Sequence, residues 1–197
     1  FFGRVAGAWD EMRQSLFGER FTLLSLLGLT PSHWVVADLG CGTGNASEHL
    51  APFVSRVIAI DQSEPMLEAA RKRLSSATNV EFRMGTVQDL PLEDASVDAA
   101  VSMLVLHHVE SPAAALREAH RVLKPGGVFL LVDMVAHDRR EFVRTMGHRH
   151  PGFDEQDLRT LLSEAGFTDE HIRRLPSEPD SRGPGLFVAT AYRRSCT

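Results

Sequence analysis

Short apolar runs alternate along this chain with longer stretches of helical, amphipathic pattern. The runs at 35–39, 57–60, 80–83, 97–102 and 127–134 are rich in β-branched residues and almost continuously apolar, as strands covered on both faces must be. Between them lie helix-patterned segments over 45–53, 65–75 and 113–123. The last of these ends in a basic turn followed by "KPGG", Lys124 to Gly127, a combination that stops a helix. Strand and helix in alternation predict stacked βαβ units and a parallel sheet. Two helices are expected ahead of the sheet, over 4–17 and 19–27. Beyond Met134 the chain turns polar and histidine-rich. It then predicts a helix over 154–165 and two tail strands, 169–175 and 185–192, joined by "PSEPDSRGPG" as a long hairpin connection. No internal repeat interrupts this order, and 197 residues suit about one domain with a substantial core.

Composition narrows the partners. A net charge of −5 gives no basic field to gather nucleic acid or anionic lipid. No apolar run approaches the roughly 18 residues of a membrane span, and the pattern of a signal peptide is absent. The two cysteines, Cys41 and Cys196, make neither a disulfide framework nor a metal-ligand spacing, so a reducing, cytoplasmic setting is expected. The chain opens "FFGRVAGAWDEM" rather than with Met, which leaves open an engineered start or a piece that lacks upstream sequence.

The stretch "VVADLGCGTGNAS", Val35 to Ser47, carries the first chemical signal. A strand, a glycine turn and a helix together bring a ligand onto a helix N-terminus. The spacing is not the G-x-G-x-x-G of a dinucleotide loop, because the third position of that motif is Asn45. Asp38 stands just ahead of the turn, where it would repel a pyrophosphate and attract an ammonium or sulfonium. The second strand ends in "VIAIDQS", whose Asp61, 17 residues after Gly44, is positioned to accept hydrogen bonds from two ribose hydroxyls. A nucleoside with a cationic amino-acid tail fits both acids, and S-adenosylmethionine meets that description.

Four landmarks occur in order over about half the chain: "DLGCGTG", "AIDQSEPML", "DLPLEDASVDAAVSMLVLHHV" and "EAHRVLKPGGVFLLVD". Together they resemble the class I S-adenosylmethionine-dependent methyltransferases, most closely the ubiquinone/menaquinone-biosynthesis group. The outer segments "FGRVAGAWDEMR" and "GHRHPGFDEQDLRTLLSEAGF" are also similar to methyltransferase domains fused behind bacterial repressors of the arsenical-resistance type. The resemblance implies an α/β fold: a seven-stranded, mostly parallel Rossmann-like sheet with helices on both faces and a final antiparallel strand. It divides one domain, 1–197, into an N-terminal helical cap (1–30), a cofactor-binding core (31–135), a substrate-side segment with its helix (136–168) and terminal strands (169–197).

The resemblance also implies residue roles. Asp38 and the backbone of Gly40, Cys41 and Gly42 would hold the methionine end of the cofactor, and Asp61 the ribose. Gln62 and Met66 would line the adenine slot, and Thr86 and Val87 its edge. Thr86 departs from the family, which usually carries Asp there; a hydroxyl accepts the adenine amino proton more weakly. Ser102 and Met103 would sit near the sulfonium.

Methyl transfer is an in-line displacement that needs alignment, and a base only when the acceptor arrives protonated. His107 and His108, after the fourth strand, are candidates for acceptor positioning or proton removal; the plainer alternative is wall packing and a helix cap. His148 joins them as a third catalytic candidate, within a cluster with His137, His150, Arg139, Arg140, Arg144 and Arg149. Those arginines suit an acidic substrate, or belong to a solvated helix paired with Asp138 and Glu141. The His-x-His spacing of His148 and His150 without cysteines matches no ligand set, so no metal is expected. Two distant cysteines exclude an arsenic methyltransferase. Trp9, Met12 and Phe17 fall at helical spacing and are expected to pack as the core of a capping helix or to act as a lid.

The leading expectation is transfer of a methyl group to a small-molecule acceptor, leaving S-adenosyl-L-homocysteine, with no direct nucleic-acid or membrane contact by this domain. The alternative is a cofactor-sensing effector domain of a transcriptional regulator, fused to an N-terminal DNA-binding domain or acting as a homodimer. An NAD-dependent oxidoreductase shares the fold but conflicts with Asp38 and Asn45.

Overall fold

The computed structural model describes residues 6–178 and 180–195; Cys196 lies outside them. Its strands are β1 (Val35–Leu39), β2 (Arg56–Asp61), β3 (Val80–Met84), β4 (Val97–Met103), β5 (Leu123–Met134), β6 (Phe167–Arg174) and β7 (Leu186–Arg193). Its helices are α1 (Trp9–Phe17), α2 (Phe21–Leu26), α3 (Asn45–Leu50), α4 (Glu64–Arg73), α5 (Pro112–Val122), α6 (Arg140–Met146) and α7 (Glu155–Glu164). The strands form one sheet in the order β3-β2-β1-β4-β5-β7-β6. The first five strands of that order run parallel, while β7 pairs antiparallel with both β5 and β6. This is the expected mostly parallel Rossmann-like sheet. Its strand order reverses between β1 and β4, which leaves a crevice beyond their carboxyl ends.

Adjacent residues of the central strands bury on opposite faces, because side chains alternate along a strand. Val36, Val57, Ala99 and Val101 pack on one side with Ala51 and Val54. Ala37, Ile58, Ile60 and Ala100 pack on the other with Leu116, Ala119, Leu158 and Leu162 of α5 and α7. Burial on both faces explains the unbroken apolarity of these runs. Two helix starts follow their sequence signals: Ser111 caps α5 by accepting from Ala114, and Asp154 caps α7 by accepting from Gln156.

Two expectations change. The "KPGG" break does not postpone the strand to residue 127. Leu123 already pairs with Val97, the ladder slips, and Val128 resumes opposite Ala99. Gly127 permits this bulge, since a Cβ there would stand 2.8 Å from the carbonyl oxygen of Lys124 and 3.0 Å from that of Asp98. At the other end, α1 and α2 bury none of their residues. Trp9 and Met12 are half-buried and Phe17 is 64% exposed, so these residues are not the core of a capping helix. Among the described residues no helix is long and apolar enough to cross a membrane.

Candidate active site

Beyond β1 the chain turns through the glycine loop, and two backbone amides tie that turn to the end of β2. Gly40 and Cys41 both donate to the carbonyl of Ile60, at 2.8 and 2.9 Å. Gly42 follows at φ +52°, with no atom within 4 Å of where a Cβ would stand. Its N–H donates to Asp61 Oδ2 at 2.8 Å, while Asp61 Oδ1 accepts from Ser63 N at 2.9 Å. The result is a bare backbone cradle with an ordered carboxylate at its rim. Gln62, Met66, Thr86 and Val87 join it around a cleft of about 490 Å³, with Gln88, Glu110 and Arg149 also on its walls.

Asp38 and Cys41 stand behind this cradle rather than on its walls. Asp38 Oδ2 accepts from both the amide and the hydroxyl of Ser47, at 3.1 and 2.6 Å, and so clamps the first turn of α3 to β1. Burial pushes the Asp38 carboxyl up to about 6, against the pull of the Ser47 hydrogen bonds and with a smaller upward push from Asp61. Above that pH the carboxylate is ionised. The Cys41 side chain packs with Ala59 and Leu67, where burial and the charges of Asp38 and Asp61 push its thiol up to about 12. A thiol held protonated there is no nucleophile.

Neither Ser102 nor Met103 appears on the walls of this cleft or of its neighbour; Leu104 and Val105 stand on the cleft instead. The chain leaves β4 one residue later than expected. Leu104 adopts φ +59° and donates its N–H to Val132 O at 2.8 Å. Leu104 and His108 are shared with a second cavity, of about 670 Å³, which is predominantly apolar. Met134, Phe142, Met146, Leu175, Pro184 and Leu186 make its body. Part of its wall comes from the connection between β6 and β7, through Pro176, Ser177, Glu178, Ser181, Gly183 and Gly185, a stretch that reads in sequence as a plain linker.

The polar end of this second cavity is a knot of imidazoles. His107, His108 and His148 bring their ring centroids within 4.2 to 4.9 Å of one another. His107 is buried, and its Nδ1 lies 2.7 Å from Oδ1 of the fully buried Asp133. The backbone amides of Arg149 and His150 both donate to His107 O, at 2.9 and 3.0 Å, which fixes the segment carrying His148 against it. Burial, and after it the neighbouring His107, hold His108 and His148 below the ordinary imidazole range. A hydrogen bond to the Gly147 backbone opposes that shift at His108. His150 is turned away to Val109 O, so the His-x-His pair is split between two jobs.

Asp133 is the member of this group that the motifs did not reveal. A carboxylate inside the apolar run "LLVDM" was the available signal, because a buried charge needs a partner. The arginines do not serve the second cavity. Arg139 reaches Arg182 O, Arg140 is exposed, and Arg144 pairs with Glu141 at 3.9 Å with 83% of its side chain exposed. Only Arg149 of the four lines either cavity, and it faces the glycine-loop cleft.

A family model described as a methyltransferase domain matches residues 37–131. The uncharacterised methyltransferase YcgJ of Bacillus subtilis is 37% identical over 192 residues, which is 91% of this chain and 76% of that protein. Among solved structures, an S-adenosylmethionine-dependent methyltransferase from Mesorhizobium loti has a TM-score of 0.73 at 23% identity, over 88% of this chain and 97% of that one. A phosphoethanolamine N-methyltransferase from Haemonchus contortus, in complex with S-adenosylmethionine, has a TM-score of 0.76 at 15% identity, over 91% of this chain and 53% of that one. The chain spans between 27% and 58% of the length of the first curated relatives it matches.

Proposed function

This chain belongs to the class I S-adenosylmethionine-dependent methyltransferases, and from that membership we propose that it methylates a small, apolar organic acceptor at one ionisable heteroatom. The observation that carries this reading is the meeting of two unlike cavities at Leu104 and His108. A group can pass directly only between sites that touch.

The cofactor, when bound, supplies an electrophilic methyl on a positively charged sulfur. The cradle fits such a ligand, because Gly42 leaves open space where any other residue would put a Cβ. Backbone at Gly40 and Gly42 would hold the methionine end. Asp61 would take the ribose hydroxyls with lone pairs not used by Gly42 and Ser63. Gln62, Met66, Thr86 and Val87 would enclose the adenine. Asp38 acts from behind the turn, both as the clamp on Ser47 and as a negative charge under a cationic ligand. In this reading residues 31–135 hold the cofactor, and the acceptor is held by Leu104, His107, His108 and Met134 of that core together with 136–168 and the connection between β6 and β7.

Apolar walls and the absence of the arginines from them favour an uncharged acceptor over an acid. Its heteroatom would lie against the imidazoles, the polar end of the cavity. An acceptor hydroxyl or thiol there would present its lone pair to the methyl group, and its proton would pass to a ring nitrogen of His108 or His148 or to solvent. His107, held in one orientation by Asp133, is the fixed member of the group that receives the acceptor. Calorimetry with S-adenosylhomocysteine, followed by methyl-transfer assays on uncharged phenols, alcohols and thiols beside carboxylic acids, tests the reading. Binding of the product and turnover of an uncharged acceptor are expected; no binding, or turnover of the acids alone, would overturn it.

A further inference from the structure

We propose that His107, His108 and His148 bind one divalent transition-metal ion of the zinc class, with an open coordination position facing the apolar cavity. One ring nitrogen from each residue lies within 4.8 Å of the others. In a tetrahedral zinc site, with nitrogens about 2.0–2.1 Å from the ion, ligand atoms stand roughly 3.4 Å apart. Each ring therefore needs to move inward by about an ångström or less, within the reach of small side-chain rotations.

Two further features distinguish this group from a chance gathering of histidines. His107 commits Nδ1 to Asp133 Oδ1 at 2.7 Å, which leaves Nε2 as its free nitrogen. A carboxylate behind an imidazole is the arrangement that orients metal-bound histidines and raises their basicity. Asp133 is itself held by the amides of Met134, at 2.7 Å, and His107, at 3.3 Å, so its orientation is rigid. In addition, Nδ1 of His148 is buried and has no hydrogen-bond partner. A buried polar atom left unpaired is rare in folded proteins, and a ligand bond would satisfy this imidazole.

The donor set selects the metal. Three neutral imidazoles without a thiolate suit zinc, and cobalt(II) as its spectroscopic substitute, rather than magnesium or calcium, which prefer oxygen. Three protein ligands with a free fourth position are the mark of a catalytic rather than a structural zinc site. The consequence for methyl transfer rests on the function proposed above. An acceptor hydroxyl or thiol in the cavity would take the fourth position and lose its proton to solvent; its lone pair would form the bond to the methyl carbon as the cofactor's carbon–sulfur bond breaks and leaves its electron pair on sulfur. The two readings separate in the test, because metal binding is measured without turnover.

The whole chain, stripped with chelator, would be titrated with cobalt(II) and followed by its visible ligand-field bands, then displaced with zinc. Saturation at one ion per chain, with the strong bands of four-coordinate cobalt, is expected. His148→Ala should weaken cobalt binding about 100-fold, and Asp133→Asn about 10- to 100-fold through His107. His171→Ala, on β6 and outside the set, should leave it unchanged. Undiminished S-adenosylhomocysteine binding in each variant shows that the fold survives. Failure to saturate, or an affinity indifferent to His148→Ala and Asp133→Asn, would overturn the metal site while leaving the methyltransferase reading intact. Loss of S-adenosylhomocysteine binding by the unaltered chain would instead strike that reading.

Discussion

The glycine-loop cleft and the histidine-ended cavity meet at two shared residues, yet they are built by opposite means. The cleft is made of backbone. A glycine turn, two amides tied to Ile60 and a carboxylate tied to Gly42 shape it, and its remaining walls come mostly from the turns that follow β2, β3 and β4. The cavity is made of side chains, drawn from the end of β5, from α6 and from the β6–β7 connection, with Asp133 anchoring its polar end. Backbone sites need particular residue types at fixed spacing, because only some φ angles and some close approaches are allowed. Side-chain sites need only shape and a few polar groups, which many sequences supply. The family model covers residues 37–131, which hold the glycine turn and Asp61, and stops short of α6 and the β6–β7 connection.

The largest blow to the comparison would come from the cradle. Gly42→Val puts a branched side chain into the open space at φ +52° and should raise the S-adenosylhomocysteine dissociation constant more than ~100-fold, equivalent to about 2.7 kcal/mol. Calorimetry measures it, and a constant unchanged in a folded variant would mean that the cradle is not the cofactor site.

Asp38 tests what its charge is for. Its carboxyl titrates near 6 in the fold, against an ordinary value of 3.8. Below about pH 4 it is protonated in both folded and unfolded chains and opposes folding little. As pH rises through 4 to 6 the unfolded chain ionises first, so stability falls over that window and stays lowered above it. Asp38→Asn, which can still accept from Ser47, should add stability at pH 7.5, on the order of 3 kcal/mol at most, and little at pH 4. Urea titrations at the two pH values measure this. The same variant should weaken S-adenosylmethionine binding; a gain in stability with no loss of affinity would remove the electrostatic role.

The smallest effect sharpens the other side. Phe142→Ala removes an aromatic wall of the second cavity and should raise the acceptor KM about 10-fold, the equivalent of roughly 1.4 kcal/mol. The S-adenosylhomocysteine dissociation constant should not move. A fall in cofactor affinity instead would merge the two cavities into one functional site.

The legibility of the chain followed the same division. The strand at 35–39 and the helix starting at Asn45 stand where the apolar pattern and the glycine turn set them. Asp61 reaches the cleft as its place at the end of β2 implies. The strand carrying Ser102 and Met103 runs one residue past its expected end, and the left-handed Leu104 that follows leaves no mark in a sequence. Trp9, Met12 and Phe17 carry the spacing of a packed helix face, but periodicity says which residues share a face and not whether anything covers it. His148 and His150 formed a pair only as neighbours in sequence; folding gave one to His107 and the other to Val109.

By itself, the sequence determined the parallel sheet, the glycine turn and the acidic residues around it, since each follows from rules that act within a few residues: strand alternation, allowed backbone angles and helix caps. Only the tertiary structure decided that Asp133 stands behind His107, that His148 closes against both His107 and His108, and that a linker of prolines and glycines walls an apolar cavity. These depend on contacts between segments far apart in the chain, for which local pattern carries no term. Both kinds of information converge on one place, the shared edge of the two cavities at Leu104 and His108.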